Sequence, residues 1–202
     1  MPAPLLAVAY LLGAIPFAVV VSKLRGVDIR SVGSGNPGAH NVMQHVGRFW
    51  GWLVAALDFI KGVLPVIAGR LLGYDATWQL ALGSAAMIGH ITSPFLNFRG
   101  GKGQSTGFGM LIALNPIGAF VGITIGLAVL GLTRIVVLSA FVAALVTFTV
   151  AVLQSLPAAV VISPWIVILL GLLATAPDAI KLIRARGGIG PALKAWRGGR
   201  GE

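Results

Sequence analysis

Seven apolar stretches, separated by short connections of glycine, proline and charged residues, set the pattern of the chain. The first, 4–21, is an unbroken run of 18 residues, about the length a helix needs to cross a bilayer. No basic segment precedes it, which distinguishes it from a cleaved signal peptide. Further stretches follow at 49–72, 77–95, 117–132, 135–153 and 158–175, with Arg134 and Leu156-Pro157 separating the last three. A shorter one, 104–114, ends at Asn115-Pro116. At 1.5 Å per residue it covers only about 16 Å, roughly half a hydrocarbon core. The pattern predicts an all-α polytopic membrane protein with seven transmembrane helices. It also predicts a single membrane domain over 1–176 and a basic cytoplasmic tail over 177–202. In that tail Trp196 stands among charges and the pairs Gly187-Gly188 and Gly198-Gly199 punctuate the chain, as in a segment lying on the membrane surface.

Composition agrees with the pattern. Of 202 residues 57% are hydrophobic and 10% charged, and the mean hydropathy is +0.94, outside the range of soluble globular chains. The 15 Lys and Arg outnumber 5 acids, for a formal charge of +10. In such a chain the excess reads as topology and attraction to anionic lipid, with phosphate-bearing partners next and nucleic acid excluded. Basic residues collect in the loop after the first stretch (Lys23, Arg25, Arg30, Arg48), at Arg99 and Lys102, at Arg134 and in the tail, while the opposite side holds only Arg70. The positive-inside rule therefore puts the N-terminus outside, the C-terminus in the cytoplasm and both glycine-rich loops on the cytoplasmic side. There is no Cys, so thiolate chemistry is excluded; no metal or cofactor is implied.

Two clusters carry candidate chemistry. The segment Gly33-Ser34-Gly35-Asn36-Pro37-Gly38-Ala39-His40-Asn41 offers backbone N–H groups in tight turns, which form anion-binding concavities, with Ser and Asn side chains as further partners. The same composition also suits an ordinary flexible connector. The second cluster is Gly89-His90, Phe95, Phe98, Arg99-Gly100-Gly101-Lys102-Gly103 and Gln104-Ser105-Thr106. A glycine loop with a lysine leading into a helix start puts orphan N–H donors, the positive dipole end and an ammonium at one spot. It is not a nucleotide P-loop, because Leu96 and Gly103 stand where that pattern needs Gly and Ser or Thr. In the second stretch Asp58 and Lys61 share a helix face and can pair. Gly118, Gly122 and Gly126 read as a close helix contact.

The two clusters resemble the motifs of the bacterial membrane acyltransferases that use acyl phosphate as donor and glycerol 3-phosphate as acceptor. Ser34, Gly35, Asn36, Gly38, Ala39 and Asn41 meet the pattern Ser-Gly-Asn-x-Gly-Ala-x-Asn. Gly89, His90, Phe95, Phe98, Gly100, Gly101, Lys102 and Gly103 meet Gly-His…Phe-x-x-Phe-x-Gly-Gly-Lys-Gly, and Asp58, Lys61 and Gly62 are similar to a further run. The chain departs at Gln44, where the family has Arg and Arg48 is the nearest basic group, and at Ser93, where the family has Pro. It also departs over Ala176–Leu182, where the family's His, Asn and Arg are scarcely recognisable. These departures bear on the acceptor more than on the reaction class.

The resemblance implies transfer of a fatty acyl group to the 1-hydroxyl of glycerol 3-phosphate, giving lysophosphatidic acid, in the inner membrane of a bacterium. Ser34, His90 and Lys102 are the expected catalytic residues. Gly35, Asn36, Gly38, Asn41, Arg48, Arg99, Gly100, Gly101, Gly103, Ser105 and Thr106 are the expected binding residues, with membrane lipid as the surrounding partner. The His-x-x-x-x-Asp dyad of soluble-type glycerolipid acyltransferases is absent, since His45, Trp50 and Phe95 follow His40, His45 and His90 at that spacing. A transporter or channel for phosphate or another anion is the competing class. An odd number of spans without internal similarity fits inverted-repeat transporters poorly.

Overall fold

The computed structural model describes residues 3–185 together with Gly188. Among them there is no strand. The helices are α1 (Ala3–Ala14), α2 (Phe17–Leu24), α3 (Ala39–His45), α4 (Arg48–Leu71), α5 (Ala76–Ile91), α6 (Gln104–Leu114), α7 (Pro116–Thr133), α8 (Val136–Leu153) and α9 (Ala158–Ala185). Four stretches are long and apolar enough to cross a membrane: α1 with α2, α4, α7 and α9. Arg186, Gly187, Lys194, Trp196, Arg197, Gly198, Gly199 and Arg200 of the expected surface tail lie outside the described residues.

The apolar stretch at 4–21 is not one helix. Pro16 has no N–H to donate and its ring crowds the preceding turn, so the chain breaks between α1 and α2. Carbonyls at the break are taken by side chains from elsewhere: Ser93 Oγ donates to Ala14 O at 2.6 Å and Lys61 Nζ to Ile15 O at 3.0 Å. The stretch at 77–95 likewise stops early as a helix, at Ile91, because Pro94 disfavours helical backbone just before it; a 3₁₀ turn, Pro94–Leu96, follows. At the other end of the chain α9 continues through Pro177 to Ala185. Hydropathy falls after Thr175, but Ala174, Ala176 and Ala179 are strong helix formers, so the helix outlasts its apolar run.

Packing is built on close helix pairs, chiefly α1 on α5, α4 on α6 and α7 on α8, with α9 against α5, α6 and α8. Glycines make all three possible: across α1–α5 a Cβ at Gly13 or Gly89 would meet the backbone of Ala86 or Tyr10. A Cβ at Gly62 or Gly109 would meet the backbone of Thr106 or Phe59 across the α4–α6 contact. On α7, Gly122 and Gly126 face Thr147, Ala143 and the Ser139 carbonyl of α8, and Ser139 Oγ donates to Gly126 O at 2.6 Å. That is the close helix contact expected from their spacing; Gly118, the third glycine of that expectation, faces instead the Asn115 side chain that caps α7. Asn115 is the one residue between α6 and α7; its Oδ1 caps α7 by accepting from Gly118 N at 3.0 Å.

Candidate active site

The two glycine-rich clusters meet at one end of the bundle around a cleft of about 410 Å³. Its walls are Ser34, Asn36, Gly38, Ala39, His40 and Asn41 on one side and His90, Lys102, Gly103, Gln104 and Ser105 on the other, with Asp58 of α4 and Thr175 of α9 closing it.

The first wall is held by Asn41. Its Nδ2 lies within hydrogen-bond distance of three carbonyls, Ile29 O at 3.0 Å, Val32 O at 3.1 Å and Asn36 O at 3.2 Å, and the residue is buried on α3. Asn41 therefore shapes the loop from beneath. Its N-terminal neighbours use their own donors internally: Gly35 N donates to Val32 O, Gly38 N to Asn36 O and Asn36 N to Ser34 Oγ at 3.3 Å. Asn41→Ala is expected to leave those carbonyls short of a donor, to cost about 1–3 kcal/mol and to make segment 29–38 an early site of limited proteolysis. Cleavage at the wild-type rate would refute that role.

The second wall rests on the end of α5. Gly100 N donates to Ile91 O at 2.9 Å and Gly101 N to His90 O at 3.1 Å. These two N–H groups, expected to face a phosphate, instead seat the loop on the helix end. Any Cβ at Gly100 would collide with the His90 carbonyl, and one at Gly101 with the His90 ring. Gly103 takes left-handed backbone, φ +74°, as the residue before α6, a conformation open to glycine without strain. The donors left to face a ligand are the Lys102 ammonium and the free N–H groups of the first turn of α6. Ser105 borders the cleft, whereas Thr106 is fully buried with its hydroxyl unpaired and does not line it.

Behind the cleft lies a buried charged cluster. Lys61 Nζ is 2.8 Å from Asp58 Oδ1, and His90 Nδ1 is 3.6 Å from the same oxygen. Asp58, Lys61 and His90 are all buried. Lys61 also reaches Ile15 O at the α1–α2 break and lies over the Phe17 ring at 5.5 Å, so one ammonium joins the broken helix to the back of the cleft.

Six expected binding residues do not line the cleft: Gly100, Gly101 and Thr106, placed above, and Gly35, Arg48 and Arg99. Arg99 and Gly35 border a separate, open depression with Asp28 and Arg30. There the Arg30 guanidinium donates to both Asp28 carboxylate oxygens, at 3.0 and 2.9 Å, and holds that carboxyl down to about 2. Arg48 is exposed at the first position of α4 and lines no part of the cleft. Its distance in sequence from the Asn41 wall hides a helix start and a change of direction. Cleft residues absent from the expected site set include His40, Asp58, Gln104 and Thr175; Asp178, three residues after Thr175 and so on the same face of α9, also stands beside the site. Thr175 lines the cleft, and Asp178 Oδ2 stands 3.1 Å from Lys102 Nζ. Thr175 ends the expected stretch 158–175, whereas finding Asp178 needed the recognition that the helix continues past the apolar run.

Beside the cleft an apolar cavity of about 240 Å³ runs between α6, α7, α8 and α9. Phe108, Leu111, Phe141, Val167 and Gly171 line it, and Gln104 and Thr175 border both it and the polar cleft. A polar, cation-bearing recess thus adjoins an apolar cavity.

The chain is similar to known proteins in sequence and fold. Residues 3–185 match the family model described as Glycerol-3-phosphate acyltransferase. The chain belongs to the glycerol-3-phosphate acyltransferase family. Glycerol-3-phosphate acyltransferase 1 of Deinococcus radiodurans is 46% identical over 142 residues, which make up 68% of this chain and 72% of that protein. The Geobacter sulfurreducens glycerol-3-phosphate acyltransferase is 39% identical over 140 residues, 69% of this chain and 72% of its own. Among solved structures, the crystal structure of PlsY, an integral membrane glycerol 3-phosphate acyltransferase, in its glycerol 3-phosphate form gives a TM-score of 0.77. It is 35% identical and covers 90% of this chain and 92% of that one. Its lysophosphatidic acid form matches with the same TM-score at 34% identity. With this membership the chain is an integral-membrane acyltransferase enzyme of phospholipid synthesis.

Proposed function

We propose that the chain transfers a fatty acyl group from acyl phosphate to the 1-hydroxyl of glycerol 3-phosphate, releasing inorganic phosphate and lysophosphatidic acid. The supporting observation is the junction of the polar cleft with the apolar cavity at Gln104 and Thr175. A substrate whose reacting carbon joins a phosphate to an alkyl chain fits such a junction.

An acyl phosphate is already activated, since its leaving group is phosphate. The acceptor oxygen attacks the carbonyl carbon, the ester bond forms, the anhydride C–O bond breaks and its electron pair leaves on phosphate. Catalysis then consists of positioning and charge neutralisation. In this reading Lys102 and the first turn of α6 hold the acceptor phosphate, while Ser34 and Asn36 on the facing wall orient the donor. In the same reading His90, whose Nδ1 lies 3.6 Å from Asp58 Oδ1, receives the hydroxyl proton, and Asp58 stabilises the resulting imidazolium. Seven membrane crossings with both clusters on the cytoplasmic face of the inner membrane complete the proposal. The one-sided distribution of Lys and Arg supports that orientation.

The test is phosphate release from palmitoyl phosphate by the detergent-purified protein, with and without glycerol 3-phosphate, together with analysis of the lipid product. Acceptor-dependent release with lysophosphatidic acid formed, lost in Ser34→Ala, is the expected result. A folded preparation that releases no phosphate, or releases it without acceptor dependence, overturns the assignment.

The cavity makes a separate prediction. A Cβ at Gly171 meets nothing within 4 Å, so Gly171→Leu should fold normally, with helix propensity improved by somewhat under 1 kcal/mol, and fill the slot. Activity with long acyl phosphates should fall relative to short ones. An unchanged chain-length profile would place the acyl chain elsewhere.

A further inference from the structure

Lys102 is the one Lys or Arg among the described residues lining the cleft, and it does not face the cleft unaccompanied. Its Nζ lies 3.1 Å from Asp178 Oδ2, with the two side chains 34% and 60% exposed. Asp178 follows Thr175 by nearly one turn on the same face of α9, so its carboxylate stands at the mouth of the recess that Thr175 lines. We infer that Asp178 is a specificity-determining counter-ion, an internal carboxylate that occupies the Lys102 ammonium until a phosphate displaces it and that weakens the cleft's hold on doubly charged phosphates. The inference rests on the reading of Lys102 as the phosphate-binding cation.

The physical argument has two parts. An ion pair this exposed is weakly held, so an incoming phosphate, with more charge and more acceptor oxygens, can replace the carboxylate on Nζ. The displaced carboxylate remains on the same helix face beside the new anion, because a short side chain on a regular helix has nowhere distant to go. Repulsion between one carboxylate and a doubly charged phosphate about 6 Å away in a water-like medium corresponds to about tenfold in affinity, and to about threefold for a singly charged anion. The same repulsion acts on a product that keeps its phosphate, so the carboxylate that opposes entry also hastens release.

The experiment is equilibrium binding of radiolabelled glycerol 3-phosphate to the detergent-purified full chain, as wild type, Asp178→Asn, Asp178→Glu and Lys102→Ala/Asp178→Asn, beside KM and kcat for each. Asp178→Asn should bind about tenfold more tightly at low salt, with the gain shrinking at high salt and appearing in KM. Asp178→Glu should return towards wild type, and the double variant should lose the gain. Unchanged or weaker binding in Asp178→Asn overturns the inference and makes Asp178 a simple support for Lys102. Tighter binding with no lysophosphatidic acid formed by any form removes the proposed function while leaving the counter-ion in place. Absence of binding in every form overturns both.

Discussion

Lys61→Ala should lower the stability of the folded protein by about 3–5 kcal/mol, the cost of removing one partner from a buried ion pair, read as a large drop in the midpoint of thermal unfolding in detergent. Two groups lose their partner at once. Asp58 would keep a buried carboxylate without its ammonium at 2.8 Å, and the Ile15 carbonyl would lose its side-chain donor at the α1–α2 break. The loss should extend to activity, since His90 is held against the same carboxylate. The double variant Asp58→Asn/Lys61→Met removes both charges and should recover part of the lost stability, because apolar replacement of a whole buried pair is often near neutral. An unchanged midpoint in Lys61→Ala would mean that the pair contributes nothing to the join between the broken helix and α4.

Lys102→Ala should lower kcat/KM for acyl transfer by about 10²-fold, the scale on which one preorganised group stabilising anionic charge acts. Much of the loss should fall on the acceptor's KM. The fold should survive, since the Lys102 side chain is one-third exposed and its ion pair with Asp178 lies at the surface. The loop around it is fixed by the Gly100 and Gly101 N–H groups, not by the ammonium. Wild-type KM and kcat in a folded Lys102→Ala protein would dismiss the lysine as the phosphate-binding group and with it the arrangement proposed for the acceptor. Lys102→Arg separates charge from shape: it keeps the cation but places a planar fork where a compact ammonium fits, so partial activity is expected.

Much of the molecule is legible in the order of its residues. Hydropathy marks every long helix because a chain in hydrocarbon satisfies its backbone only internally, and that constraint acts locally on each stretch. The family was equally legible, since Ser34 to Asn41 and Gly100 to Gly103 are contiguous runs whose backbone shape depends on residues next to one another. The packing of Gly122 and Gly126 on α8 followed from spacing along one helix face.

What spacing could not decide was the use to which each group is put. Gly100 and Gly101 looked like phosphate donors, yet their N–H groups close onto the end of α5, because an unpaired helix carbonyl nearby competes for them. Asn41, expected as a ligand, lines the cleft and through its Nδ2 also clamps its own loop. Arg99 and Arg48 look equivalent to Lys102 in a count of charges, but the turn at Asn97 and Phe98 and the start of α4 send them elsewhere. Asp178 meets Lys102 only because α9 continues as a helix beyond its apolar run and packs against α5 and α6. Sequence thus determined which segments form long apolar helices and which residue types reach the site, since those depend on local composition and short-range geometry. Tertiary structure alone decided which donors stay free and which charges are paired, because both are set by groups from distant segments competing for the same few hydrogen bonds.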